Sequence, residues 1–144
     1  MAKNKPSISI IVPCYNEEGN LRGTIEAINS ALASSRRFSA HEILVYNDRS
    51  TDATGALAVS IAKADRSVKV IHNAKNMGFG FNYTDGVKRA TKDYIMMVPG
   101  DNEIPAMAIE TVLAKEGEAD VIIPYTANPE VRRFSRRDIP RAFV

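Results

Sequence analysis

The sequence has a single cysteine, Cys14, in 144 residues. One thiol excludes an internal disulfide and any metal site built from several cysteines. Its place at the end of an apolar run suits a small packing residue, and no chemistry is expected of it. No apolar run approaches the ~18 residues that a membrane-spanning helix needs. The first residues hold no apolar core of signal-peptide length, so a cytoplasmic location is expected. Glycine-rich nucleotide motifs are missing as well. There is no Gly-Lys-Ser or Gly-Lys-Thr, no glycine-rich turn follows the first apolar run, and Gly78-Phe79-Gly80 lacks the third glycine of a dinucleotide fingerprint. No Gly-x-Ser-x-Gly elbow occurs, and neither His41 nor His72 has a nucleophile suggested beside it. P-loop NTPases, Rossmann dehydrogenases and serine hydrolases are thereby set aside.

What is present is ordinary in bulk and uneven in detail. Hydrophobic residues make up 44% and charged residues 25%, a composition able to fill one core, and the length suits a single domain spanning 1–144. From Pro129 onward, five arginines face only Glu130 and Asp138, a local charge of +3. Residues 1–128 keep fourteen basic against fifteen acidic side chains. The body is near neutral, its last segment is basic, and no nucleic-acid partner is expected.

Taken in order, Ser7 to Val12 is a β-branched run stopped by Pro13, which predicts a first strand. Leu21, Ile25, Ile28 and Leu32 follow at helical spacing with Asn20 as N-cap. Glu42 to Tyr46 predicts a second strand, and Ala53, Leu57, Ile61 and Ala64 one face of a second helix. Val68 to His72 predicts a third strand, followed by a helix with Phe79, Tyr83, Val87 and Ala90 along one side. Tyr94 to Val98 predicts a strand that ends abruptly at Pro99-Gly100. A helix around Met107 to Lys115 and a fifth strand, Ala119 to Ile123, complete the pattern. Alternating strands and helices predict an α/β fold, a mainly parallel sheet with helices on both faces.

In such a sheet the loops after the strands share one edge, where ligands bind. Tyr15, Asn16, Glu17, Asp48, Asn76, Asp101 and Glu103 all fall in those loops, which predicts a single site assembled from four of them. Asp101 and Glu103, one residue apart at a strand end, are hard oxygen donors of the kind that Mg²⁺ or Mn²⁺ takes beside substrate phosphates. The plain alternative is that Asp101 caps the helix opened by Pro105 while Glu103 is merely solvated.

Four segments, Val12 to Glu18, Tyr46 to Asp52, Asn76 to Gly80 and Pro99 to Pro105, resemble in order and spacing the family 2 glycosyltransferases. The likeness is greatest to the dolichyl- or polyprenyl-phosphate sugar transferases. The resemblance runs from Ser7 to about Arg137 and implies the three-layer, Rossmann-like GT-A fold. It implies a donor site for a nucleotide-diphosphate sugar, UDP- or GDP-linked. Pro13, Tyr15 and Glu17 match the loop around the nucleoside, Asp48 matches the acid that reads the base, and Asn76 and Gly78 match the loop beneath the sugar-diphosphate. Asp101 matches the second acid of the Asp-x-Asp signature and is the catalytic candidate, acting with Glu103 on Mn²⁺ or Mg²⁺. Hexose transfer with inversion to a lipid-phosphate or glycan acceptor is the implied reaction.

The sequence departs from that family at several places. Pro99 stands where the first acid of Asp-x-Asp is usual, Asn47 replaces the first of an acidic pair, Arg49 replaces a glycine, and Pro124-Tyr125 replaces an Arg-bearing turn. In the basic amphipathic segment 129–144, Arg132 and Ser135 match residues that contact an acceptor phosphate. The same segment would also suit peripheral contact with an anionic membrane at its cytoplasmic face, or be a solvated helix face. Family members of this type continue further, so 1–144 is expected to be the nucleotide-sugar-binding part of a longer protein. The rival reading is a truncated, non-catalytic module that binds a nucleotide or a partner.

Overall fold

The computed structural model describes residues 5–125. Among them eight elements alternate: β1 (Ser7–Cys14), α1 (Leu21–Ser35), β2 (Ala40–Asn47), α2 (Thr54–Ala64), β3 (Val68–His72), α3 (Phe79–Arg89), β4 (Tyr94–Met97) and α4 (Ala106–Leu113). The chain divides into two compact units, Met1–Ala114 and Lys115–Val144, and all eight elements lie in the first.

The strands form one sheet in the order β3-β2-β1-β4, with every neighbouring pair parallel. β1 lies between two neighbours and is buried from Ile8 to Cys14, as a β-branched run covered on both faces must be. Its pairing with β2 sets Cys14 opposite Asn47, and β2 in turn sets Asn47 opposite His72. Three strands therefore end level, and the loops that follow start from one line.

The two faces of the sheet are covered differently. Ile10 and Val12 of β1, with Ile43 and Val45 of β2, pack with Leu21, Ile25 and Ile28 of α1, Ala58 and Ile61 of α2, and Ile109 and Leu113 of α4. On the opposite face Ile11, Leu44 and Tyr46 form a smaller cluster. There α3 lies so close to β1 that a Cβ on Gly86 would stand 2.8 Å from Ile11 side-chain atoms. The Tyr46 hydroxyl donates to Asp85 Oδ2 at 2.8 Å, and Arg89 Nε donates to the same oxygen at 2.7 Å, which ties α3 to β2. Nearby, Glu42 is 3% exposed and is held by Ser9, Thr91 and Lys69. The expected mainly parallel α/β sheet with helices on both faces is what forms.

Three local expectations are corrected. The apolar side of α3 is turned outward, with Phe79, Tyr83 and Val87 all exposed, and the buried face is Asn82 and Gly86. Close approach of helix to strand requires the small residue, so size overrides hydrophobic spacing there. Asn20 occupies the N-cap position of α1 but makes no side-chain cap bond; its Nδ2 donates to Glu17 Oε2 at 2.8 Å instead. Finally, 119–123 form no strand, and Val121 and Ile123 are exposed. A strand exists only by pairing, and alternation of side chains does not supply a partner. In this second unit the described residues include the turn at Lys115 to Glu118, closed by an ion pair at 3.1 Å.

Candidate functional site

The loops after β1, β2, β3 and β4 meet at the carboxyl edge of the sheet and are stitched together mainly by backbone groups. Asp48 N–H donates to Cys14 O at 2.9 Å. Asn16 N–H donates to Ser50 Oγ at 3.0 Å, Thr51 N–H to Asn16 Oδ1 at 2.8 Å, and Glu17 N–H to Thr54 Oγ1 at 2.7 Å. Asn16 holds φ +57 in this knot. The β4 loop joins β1 through Val98 N–H to Ile11 O and Gly100 N–H to Pro13 O, both 3.0 Å. A Cβ on Gly100 would collide with Cys14 Sγ, so the glycine lets the acid-bearing loop sit against the end of β1.

Asp48 is 3% exposed at the end of β2. Its Oδ1 accepts from Asn73 Nδ2 and Met77 N–H, each at 2.7 Å, and its Oδ2 accepts from Gly78 N–H at 2.8 Å. Burial opposes ionisation, but these bonds outweigh it and hold the carboxyl below its ordinary value. A carboxylate offers about four lone-pair sites, and the Asn82 side chain is a further hydrogen-bond partner of this one. Asn73 also donates to Asn82 Oδ1 at 2.7 Å, and Asn82 is 1% exposed. Asp48, Asn73 and Asn82 thus clamp the loop that carries Asn76 and Gly78, with Gly78 at φ +83 and Asn76 Oδ1 accepting from its N–H at 3.1 Å. Asn73 and Asn82 were not legible as site residues. A polar side chain four residues before Gly86 on the buried side of a helix was the available signal.

Asp101 is half-buried and Glu103 exposed. Asp101 Oδ1 accepts from Glu103 N–H at 3.1 Å, and α4 has no side-chain cap bond, so Asp101 does not cap the helix that follows. Asp101 Oδ2 makes no hydrogen bond among the described residues. Asp101 and Glu17 both act on Cys14: burial first, then these two charges, push its thiol up to about 12. The thiolate is absent at neutral pH, in keeping with a packing role.

Does this donor set fit a divalent cation? Among the described residues no group of three or more His, Cys, Asp or Glu side chains stands ready to hold one. Two carboxylates on one loop still fit Mg²⁺ or Mn²⁺, which keep several waters and take substrate phosphates as further ligands.

The remaining expected residues are spread around this edge. Pro13 is buried at the end of β1, Tyr15 is 48% exposed beside it, and Glu17 is half-buried. Arg49 stands at φ +63, a backbone state that explains why glycine suits that position. Asn47 is spent internally, its Oδ1 accepting from Ser50 N–H and its Nδ2 facing His72 Nδ1, both at 3.0 Å. Arg132, Ser135 and the basic segment 129–144 lie outside the described residues. A cavity of about 390 Å³ lies at the opposite, amino edge, lined by Asn29, His41 and Asp65 among others. Its carboxylate is occupied by Ser67 N–H and Oγ and by Asn29, which makes it part of a turn rather than a binding group.

Known proteins are similar to this chain in sequence and in fold. In sequence, the chain is 34% identical over 119 residues to the uncharacterized glycosyltransferase EpsJ of Bacillus subtilis, covering 81% of this chain and 33% of that protein. It is 27% identical over 114 residues to the GalNAc(5)-diNAcBac-PP-undecaprenol beta-1,3-glucosyltransferase of Campylobacter jejuni, covering 78% of this chain and 35% of that one. The chain spans about a third of the length of the curated relatives it matches. Among solved structures, residues 1–349 of S. aureus TarS in complex with UDP-GlcNAc match with TM-score 0.62 at 21% identity, over 83% of this chain and 37% of that one. The mannosyltransferase PcManGT from Pyrobaculum calidifontis, in complex with GDP-Man and Mn²⁺, matches with TM-score 0.60 at 18% identity, over 75% and 32%. These structural likenesses show the fold, a GT-A glycosyltransferase fold. The family model for glycosyl transferase family 2 matches residues 9–140, and with the relatives in sequence it establishes that this chain belongs to glycosyl transferase family 2.

Proposed function

We propose that this chain forms the donor site of a glycosyltransferase that moves a hexose from a UDP- or GDP-sugar to a polyprenyl- or dolichyl-phosphate acceptor, with inversion. The observation that carries the reading is the convergence of four post-strand loops on one edge, with Asp48 clamping the Asn76 to Gly78 loop and Asp101 and Glu103 on the β4 loop. UDP-GlcNAc and GDP-Man are bound by the structural neighbours, and an undecaprenol-linked acceptor belongs to one relative's name. The first fact favours the donor class proposed; the second favours a lipid-linked acceptor, in that relative a glycan carried on undecaprenyl diphosphate.

In this reading Tyr15 offers an exposed ring to the nucleoside, and Pro13 and Glu17 shape the wall beside it. Asp48 is the acid that reads the ring N–H of the base. The loop at Asn76 and Gly78 lies beneath the diphosphate. Asp101 and Glu103 would hold Mn²⁺ or Mg²⁺, whose charge stabilises the nucleoside diphosphate as it leaves. A phosphate acceptor is ionised at neutral pH, so its oxygen attacks the sugar carbon without a protein base while the bond to the diphosphate breaks. Positioning then supplies much of the catalysis. Arg132 and Ser135 are the proposed contacts for the acceptor phosphate, and 129–144 the proposed contact with the cytoplasmic face of the membrane.

The first test is calorimetric titration with UDP, GDP and their sugar conjugates, with and without Mn²⁺. Binding of one nucleotide that Mn²⁺ strengthens, with that gain abolished by Asp101→Ala and the thermal melt unchanged, is the expected result. A Mn²⁺ gain that survives Asp101→Ala removes Asp101 from the site. A second reading, a nucleotide-binding module that transfers nothing, is favoured by Pro99 in place of an acid. Metal-dependent nucleotide binding by a chain that never releases UDP or GDP from a sugar donor in the presence of a phosphate acceptor would select it.

A further inference from the structure

Asn102, between the two acids, holds φ +57. For a residue with a Cβ this left-handed state is disfavoured, so the surrounding structure must hold it there. The contacts come from α1. Thr24 is 1% exposed, and its Oγ1 accepts from Asn102 N–H at 3.0 Å. The Thr24 hydroxyl proton is directed back along the helix to Asn20 O at 3.4 Å. Beside it, Gly23 has no side chain to interfere: a Cβ there would stand 2.6 Å from Asn102 Nδ2 and 2.9 Å from its Cγ. Glycine inside a helix is unfavourable relative to alanine, and the close approach of Asn102 accounts for its presence.

The same helix starts directly after the loop bearing Tyr15 and Glu17, and Asn20 O accepts both the Thr24 N–H and its hydroxyl. One rigid rod therefore spaces the nucleoside loop from the acid loop. We propose that Gly23 and Thr24 form a seat on α1 that positions Asp101 and Glu103 for a divalent cation and the diphosphate it accompanies. The inference rests on the donor-site reading. Both are positioning residues, acting through the backbone of Asn102.

The test measures Mn²⁺-dependent binding of UDP and GDP to the 144-residue chain, together with amide exchange at Asn102. Thr24→Val removes the hydroxyl at nearly constant shape and leaves the Asn102 N–H unpaired. It should raise the Mn²⁺ concentration for half-maximal nucleotide binding about tenfold, speed Asn102 exchange by a similar factor, and leave metal-free nucleotide binding unchanged. Thr24→Ser keeps the acceptor and should stay within about twofold of the parent on each measure. Gly23→Ala should weaken the metal response in the same way. Adding Asn102→Gly should restore it, because glycine removes the colliding side chain and is at ease at positive φ. If Thr24→Val leaves both measures within twofold, or lowers binding equally without Mn²⁺, the seat is overturned while the donor site stands. If the parent chain itself binds neither nucleotide in a Mn²⁺-dependent way, the donor-site reading and the seat fall together. Should Thr24→Val fail to fold, the Gly23→Ala and Gly23→Ala/Asn102→Gly pair decides alone, and absence of rescue overturns the proposal.

Discussion

Replacing Asp48 by asparagine separates the two tasks that meet on one carboxylate. The amide oxygen of Asp48→Asn can take the place of Oδ1 and keep Asn73 Nδ2 and Met77 N–H, now as neutral bonds. Its NH₂ then faces the Gly78 N–H that Oδ2 accepted at 2.8 Å, donor against donor. The Gly78 N–H keeps its second acceptor, Asn76 Oδ1 at 3.1 Å, so the variant loses one charge-assisted bond and weakens the other two, a cost of about 1.5–3 kcal/mol. That cost falls on the loop from Asn76 to Gly78 rather than on the sheet. At about 1.4 kcal/mol per factor of ten, amide exchange at Met77 and Gly78 should accelerate between ~10-fold and ~140-fold. Exchange in β1 should change little. Exchange at those two amides within threefold of the parent would refute the clamp. The same variant tests base reading: if Oδ2 also meets the base, UDP or GDP loses more affinity than pyrophosphate does. Equal losses would leave Asp48 as a loop clamp alone.

Two further outcomes follow from groups away from the site. Burial raises the Glu42 pKa, and the bonds from Lys69, Ser9 and Thr91 more than offset this, so the carboxyl falls from 4.5 to about 2. A depressed carboxyl contributes stability that is present above pH ~4.5 and lost as pH falls toward 2, about 3 kcal/mol in all by linkage. Urea unfolding between pH 7 and pH 2.5 should show much of that loss in the parent and little in Glu42→Gln, and parallel pH profiles would sink the argument. Arg49 sits at φ +63, so Arg49→Gly should stabilise by a few tenths to about 1 kcal/mol in urea, with an unchanged m-value; a destabilised variant would show that the Arg49 side chain contributes more than its strain costs.

Much of this protein was written in local pattern. Apolar runs closed by Pro13, Asn47 and Pro99 marked strands, and their alternation with helices fixed which loops share an edge, so the candidate site could be placed from the order of elements alone. Pro99-Gly100 likewise marked the abrupt end of β4 beneath the acids. Tertiary structure decided what depends on distance between segments far apart in the chain. Gly86 against Ile11 turned the aromatic side of α3 outward, against its apolar spacing. Ala119 to Ile123 carried a strand's pattern and form no strand. Asp48 was legible as an acid after a strand, but its hold on Met77 and Gly78 joins residues about thirty positions apart. Thr24 and Asn102, 78 positions apart, meet only in the folded chain, where α1 lies beside the loop after β4. Sequence periodicity reports which face of an element is apolar; it carries no measure of how near another segment will come, and that nearness sets the clamp, the seat and the orientation of α3.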